Sequence, residues 1–200
     1  MVEKKESKLK KFDSIAEQKG GFAKTLWQFI KFSIASLIAT LIQLLLSNVL
    51  PFLFDKVMVT IPAFLQGIFD PSILFDTTTQ AGLQSFEKYV VGGVVTWGFV
   101  LPFFISNFVG NIYAYIQNKK TTFNSDAPTY CFVIYFVVLI ILILVATWVQ
   151  GLIYGWLNSI DSAFLNSISR TVAMFLAGMI QFVILFPLEK FVLLKEKKED

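Results

Sequence analysis

Phe132-Val133-Ile134-Tyr135-Phe136-Val137-Val138-Leu139-Ile140-Ile141-Leu142-Ile143-Leu144-Val145-Ala146 is the stretch that decides the fold. It holds no Gly, Pro, Asn, Gln or charged residue, and with its flanks it gives an apolar run over 130–155. A bilayer crossing needs about 20 predominantly apolar residues in a helix. Working outward, similar runs occupy 27–54, 89–116 and 168–194. A lipid-exposed backbone must satisfy its own hydrogen bonds, and none of the runs alternates like a barrel strand, so each reads as a helix. The fold class is all-α: a four-helix transmembrane bundle.

Orientation follows from the basic residues, which gather in short cytoplasmic segments beside the spans. Lys4, Lys5, Lys8, Lys10, Lys11, Lys19, Lys24 and Lys31 precede or enter the first run. Lys119 and Lys120 join the second run to the third, and Lys190, Lys195, Lys197 and Lys198 close the chain. Only Lys56, Lys88 and Arg170 fall elsewhere. Segment 1–26 and the tail 195–200 are therefore expected in the cytoplasm, and the connection 55–88 outside. The chain is 56% hydrophobic with 22 Phe among its 200 residues, and its mean hydropathy is +0.67. Connection 55–88 is too short for a separate soluble domain, which needs about 50 residues. Segment 1–26 lacks the apolar core and small-residue site of a cleavable signal. With no His and one Cys, Cys/His metal sites, Cys-His nucleophile pairs and an intrachain disulfide are excluded. Cys131, near a span end, reads as packing, with acylation as the alternative. The net charge of +3 sits beside spans, so it speaks for anionic lipid and not for nucleic acid.

The second and fourth runs end alike, in Tyr115-Ile116-Gln117-Asn118-Lys119 and Phe186-Pro187-Leu188-Glu189-Lys190. An aromatic, a polar residue three positions on and then Lys describe two repeated two-span hairpins, related by an axis along the membrane normal. The bland account is that aromatics and snorkelling lysines recur at any membrane boundary.

Polar side chains that survive in a span face a partner helix, water or substrate. Asn107, Asn111 and Asn118 share roughly one helical face, beside the small-residue row Ser106, Gly110 and Ala114, so the amides either line a path for a polar group or glue helices together. Gln43, Thr147, Gln150 and Gln181 add amides or hydroxyls in the other runs. Pro102 permits a kink. Lys31, one turn inside the first run, can snorkel. Arg170, the one Arg, has the planar fork suited to phosphate. Asp126 and Glu189 read as boundary carboxylates, and the lack of a deeply buried acid argues against proton drive. Ile61, Phe64, Leu65, Ile68 and Phe69 have helical spacing, which predicts an amphipathic helix lying on the outer leaflet or capping the bundle.

Tyr115-Ile116-Gln117-Asn118-Lys119-Lys120-Thr121-Thr122-Phe123 resembles the aromatic-x-x-Asn-basic-x-Trp-Thr-Phe signature of the GtrA-like family of four-span proteins, with Thr121 in place of Trp. Lys31 to Ala35 and Phe186 to Leu194 resemble that family's ends. The connection 55–88 is longer than the family's, and the Gly-rich entry to the first span is missing. The resemblance implies a bacterial cytoplasmic-membrane protein of cell-surface polysaccharide or teichoic-acid glycosylation: a flippase for a polyprenyl-phosphate-linked monosaccharide, working beside membrane glycosyltransferases. It also implies that Asn118, Lys119 and Lys120 meet the phosphate. The substrate-binding set is then Lys31, Asn107, Asn111, Asn118, Lys119, Lys120, Arg170, Gln181, Glu189 and Lys190, with no cofactor and no metal. A non-transporting accessory subunit of a membrane glycosyltransferase is the alternative, and self-association is left open. An enzyme is disfavoured because its carboxylates are scattered. A small drug exporter is disfavoured because Gln43 stands where a span carboxylate would be needed.

Overall fold

The computed structural model describes residues 8–158, 160 and 162–195; Lys4, Lys5, Lys197 and Lys198 lie outside them. Helix α1 (Lys8–Gln18) leads through Gly20 into α2 (Gly21–Val49), which continues through Leu50 into α3 (Pro51–Phe54). Leu50 keeps helical dihedrals and proline is tolerated at a first helical position. The backbone therefore stays helical over Gly21–Phe54, 34 residues. At 1.5 Å per residue that is about 50 Å, longer than a hydrocarbon core of about 30 Å, so the helix tilts or emerges from the bilayer.

Short helices α4 (Ala63–Gln66), α5 (Pro71–Leu74) and α6 (Gln80–Tyr89) follow, then strands β1 (Val90–Val91) and β2 (Val94–Val95). Helix α7 (Trp97–Gln117) runs into a π-helical turn, π1 (Asn118–Thr122). Helices α8 (Thr129–Asn158) and α9 (Ala163–Pro187) complete the bundle, and α9 runs into a second π-helical turn, π2 (Leu188–Leu193). Among the described residues four helical stretches are long and apolar enough to cross a membrane: Gly21–Phe54, Trp97–Thr122, Thr129–Leu157 and Phe175–Leu193. Helix α2 packs along α7, and α8 along α9. The outward faces stay apolar, with Leu45 69% and Val183 60% exposed, which suits a lipid solvent and not water.

Two apolar clusters hold the ends. One, at the lysine-rich end, gathers Phe32, Tyr115, Phe123, Tyr135, Leu139 and Leu194. The other, at the far end, gathers Ile61, Leu65, Phe69, Phe75, Val95 and Val100. The expected single amphipathic helix over 61–69 is not what forms. Pro62 precedes α4, which ends after one turn at Gln66, and the next helix, α5, starts only beyond Asp70, whose side chain accepts from the Ser72 N–H. The apolar stripe splits accordingly: Ile61, Leu65 and Phe69 are buried in the cap, while Phe64 is 78% exposed. The second span likewise starts at Trp97 and not at 89. Gly92 and Gly93 both take positive φ, 57° and 79°, making the two-residue turn of a hairpin in which Val90 pairs Val95 and Val91 pairs Val94. Segment 57–61 adds to this platform, with the Ile61 N–H donating to Val95 O and the Trp97 N–H to Val59 O.

Candidate functional site

The lysine-rich end is assembled from the first turns of α2, the two π-helical turns and the loop between π1 and α8. Each π turn closes on a wide backbone bond, Phe123 N–H to Asn118 O at 2.9 Å and Leu194 N–H to Glu189 O at 2.6 Å. Such turns are uncommon and frequent at functional sites. Their first polar residues meet: the Asn118 amide donates to Glu189 Oε2 at 2.8 Å. Thr122 Oγ1 donates to Asn118 Oδ1 at 3.1 Å, completing a buried chain of polar groups. Glu189 is 1% exposed and Asn118 fully buried. This corrects the expectation that the chain lacks a deeply buried acid, and it follows from the π turn, which rotates Glu189 inward toward α7.

The lysines next to these residues diverge. Lys119 donates to the Ala127 carbonyl. Lys190 donates to Thr25 Oγ1 at 2.6 Å and lies over the Phe186 and Phe191 rings at 5.8 and 5.3 Å. Beside it opens a cavity of about 450 Å³ lined by Gly21, Lys24, Thr25, Gln28, Phe123, Lys190, Phe191 and Lys195. Its floor is Phe123, 1% exposed, and Gln28, 4% exposed. Lys24 pairs with Glu17 of α1 at 3.1 Å. Lys195 is placed by its own backbone, whose carbonyl accepts the Ser125 hydroxyl at 2.6 Å. Three cations from α2, π2 and the segment after it therefore converge on one concavity. Its volume falls within the range of about 300–1,000 Å³ usual for small-molecule sites.

The remaining sequence-derived residues are distributed as follows. Lys31 is held by Asp13 at 2.7 Å and the Thr121 carbonyl at 2.7 Å, and Asp13 also accepts Trp27 Nε1 at 2.6 Å, so Lys31 ties α1 and π1 to α2. Asn107 and Asn111 donate to the carbonyls of Phe103 and Asn107 in their own helix. Lys120 is exposed and Gln181 half-buried. The Arg170 side chain lies outside the described part of the structure. Of the set, Asn118 and Glu189 are brought together. The cavity residues Lys24, Thr25, Gln28 and Lys195 were missed by sequence reasoning, because they sit before or after the apolar runs and read as topological lysines and their neighbours. The available signal was Lys24 and Gln28 one turn apart on the helix that enters the first span.

No known protein family, no curated protein and no solved structure matches this chain.

Proposed function

We propose that this chain is a flippase that carries a polyprenyl-phosphate-linked monosaccharide across the bacterial cytoplasmic membrane for cell-surface polysaccharide or teichoic-acid glycosylation. Both termini lie on the cytoplasmic side, where the lysines gather. The observation that carries the reading is the agreement between two halves of the bundle. A shift of 71 positions takes Ser106 to Ala177, Ala114 to Leu185, Asn118 to Glu189, Thr122 to Leu193 and Phe123 to Leu194, and all ten are buried. On the partner helices Phe32 of α2 answers Tyr135 of α8. Phe186 meets Phe29 and Phe32 edge-to-face at 5.2 Å each, and Tyr115 meets Phe132 and Tyr135 at a tilt, at 5.4 and 4.5 Å.

Paired hairpins of this kind support a parallel repeat, an architecture in which transporters place their site at the repeat interface and work by rocking one half against the other. The Asn118–Glu189 contact is the one polar bridge described between matched positions. The resemblance at 115–123 supplies the substrate class. Paired cations and amides are the groups able to offset the several kcal/mol cost of drawing a phosphate and hydroxyls toward hydrocarbon.

One observation favours the second reading, a non-transporting subunit of a membrane glycosyltransferase. Asn107 and Asn111 spend their amide donors on their own helix instead of lining a path. Vesicles reconstituted with the purified protein and loaded with a polyprenyl-phosphate hexose separate the two. A flippase moves the sugar-lipid to the opposite leaflet without any glycosyltransferase present, and Asn118→Ala slows the folded fraction about tenfold, the worth of one buried hydrogen bond. Transfer no faster than in protein-free vesicles leaves the accessory reading.

A further inference from the structure

We infer that Glu189 is a proton-binding site, neutralised by a proton while π1 and π2 touch and yielding that proton to water when the two halves of the bundle part. This deepens the proposed function, on which it rests for the parting of the halves but not for the state of the carboxyl in the closed contact.

Glu189 sits in π2 with 1% of its surface exposed. One hydrogen bond to its carboxyl is described, from the neutral Asn118 amide. Among the described residues no ion pair includes it. An ionised carboxylate buried without an opposite charge is costly, so a buried acid persists by taking up a positive charge.

The groups around it supply none. From α7 and α8 come the hydroxyls of Tyr115 and Tyr135, both within reach of its charge, and the Cys131 thiol of the same cluster. From π1, Thr122 bonds to Asn118 and Lys119 turns to the Ala127 carbonyl; Lys120 and Asp126 are exposed. Lys190 follows Glu189 in π2, but its ammonium reaches the Thr25 hydroxyl of α2. Lys31 of α2 is held by Asp13, and Lys24 and Lys195 line the neighbouring cavity, whose walls do not include Glu189. Arg170 stands 19 positions earlier in the chain, about 28 Å along a helix.

The geometry also selects a proton over a metal cation. Asn118 Oδ1 accepts from Thr122, which leaves the amide to present its N–H donor, and not its oxygen, to Glu189. A hard cation wants several oxygens around it. A proton needs only the carboxyl.

Exchange follows from where the bridge lies. Asn118 and Glu189 are matched positions of the two halves, so parting them draws the amide away and lets water reach the carboxyl. The carboxylic acid and one water then become carboxylate and hydronium, and closing reverses the step. Because the parted state has lost a proton, raising the pH favours it by mass action.

The test is infrared difference spectroscopy of the purified protein in detergent, comparing wild type with Glu189→Gln and Asn118→Ala, and with Glu17→Gln as the exposed-carboxylate control. At neutral pH, Glu189→Gln is expected to remove the C=O band of a protonated carboxyl, whereas Glu17→Gln removes a carboxylate band. Asn118→Ala should shift the same C=O band by deleting its hydrogen bond, which identifies the group even where Glu189→Gln does not fold. Loss of a carboxylate band in Glu189→Gln overturns the proposal, and a Glu189 band that moves between sodium and choline chloride overturns the proton in favour of a metal cation. In vesicles carrying a polyprenyl-phosphate hexose, wild-type transfer is expected to quicken as the bathing medium is made more alkaline, and Glu189→Gln to lose that dependence. The same pH dependence in both overturns the release step. A protonated Glu189 with no transfer at any pH sinks the flippase reading and leaves the proton site standing. Transfer with an ionised Glu189 does the reverse.

Discussion

The ends of α7 and α9 are built to one plan and put to different use. Each helix widens into a π turn, each turn carries a polar residue that faces the other half, and a lysine follows that residue. At the α7 end the lysine closes onto the Ala127 carbonyl and holds the loop to α8. At the α9 end it reaches Thr25 on the edge of a cation-lined cavity. What differs is the stretch at the start of α8 and of α2, where Ala127, Pro128 and Cys131 correspond to Lys24, Thr25 and Gln28. A frame fixed by apolar burial leaves its polar termini free to diverge, so chemistry can be placed on one half at little cost to the fold.

The strongest way to break the comparison is at Gly110, where the two halves pack differently along their length. A Cβ built there lies 2.8 Å from the Ala39 carbonyl oxygen and 2.5 Å from Gln43 Cγ, so α2 and α7 touch backbone to backbone. The matched position in α9 is Gln181, a long side chain that is half-buried. Gly110→Ala is expected to destabilise by about 3 kcal/mol, the upper range for overpacking, because the obstructing atom is backbone and cannot rotate away. Gln181→Ala is expected to cost less than about 1 kcal/mol. Denaturation of the detergent-solubilised protein by sodium dodecyl sulfate, followed by circular dichroism, measures both, and equal losses would dissolve the distinction.

Next in size is the bridge between the halves. Asn118→Ala removes the amide from a Glu189 carboxyl that is 1% exposed. Leaving a buried polar group without its hydrogen-bond partner costs about 1–3 kcal/mol in proteins, while interhelical hydrogen bonds in membranes average about 0.6 and reach about 1.7 kcal/mol. An expected loss of about 2 kcal/mol reflects burial within the protein, away from lipid. Asn118→Ala in a Glu189→Leu background should cost much less, and a full double-mutant cycle reports the coupling. A coupling near zero would mean that the two π turns are held by Phe123 and Leu194 alone.

Much of the bundle was legible from hydropathy, because lipid forces long apolar helices and little else. Its departures lie where apolar residues serve a local platform instead of lipid. Val90, Val91, Val94 and Val95 count as span by composition, yet two adjacent glycines and β-branched side chains make them a hairpin. Phe64 and Phe69 belong to one helical stripe by spacing, but α4 ends at Gln66 and the chain turns at Gly67 before it reaches Phe69. At the site, the similar ends of α7 and α9 could be read from the chain, and their meeting at Asn118 and Glu189 could not, since it depends on a π turn that no residue pattern announces. The cavity was hidden for a different reason: Lys24 and Lys195 look like boundary lysines until tertiary packing brings them together.

The smallest effect offers the sharpest control on the paired-halves comparison. Tyr115 and Tyr135 are neighbours with tilted rings, 4.5 Å between ring centres, and both are buried. Tyr135 donates its hydroxyl to the Asn111 carbonyl at 3.0 Å, whereas the Tyr115 hydroxyl is buried with no hydrogen-bond partner. Removing a satisfied hydroxyl costs about 1 kcal/mol, and removing an unsatisfied one costs nothing or stabilises. Tyr135→Phe should therefore lower stability by about 1 kcal/mol, and Tyr115→Phe should leave it level or raise it. The second change also makes position 115 identical to its counterpart Phe186, which already packs on Phe29 and Phe32 without a hydroxyl. If Tyr115→Phe is instead the costlier of the two, its hydroxyl has a partner during the working cycle, and the two ends diverge in their aromatic layer as well as in their lysines.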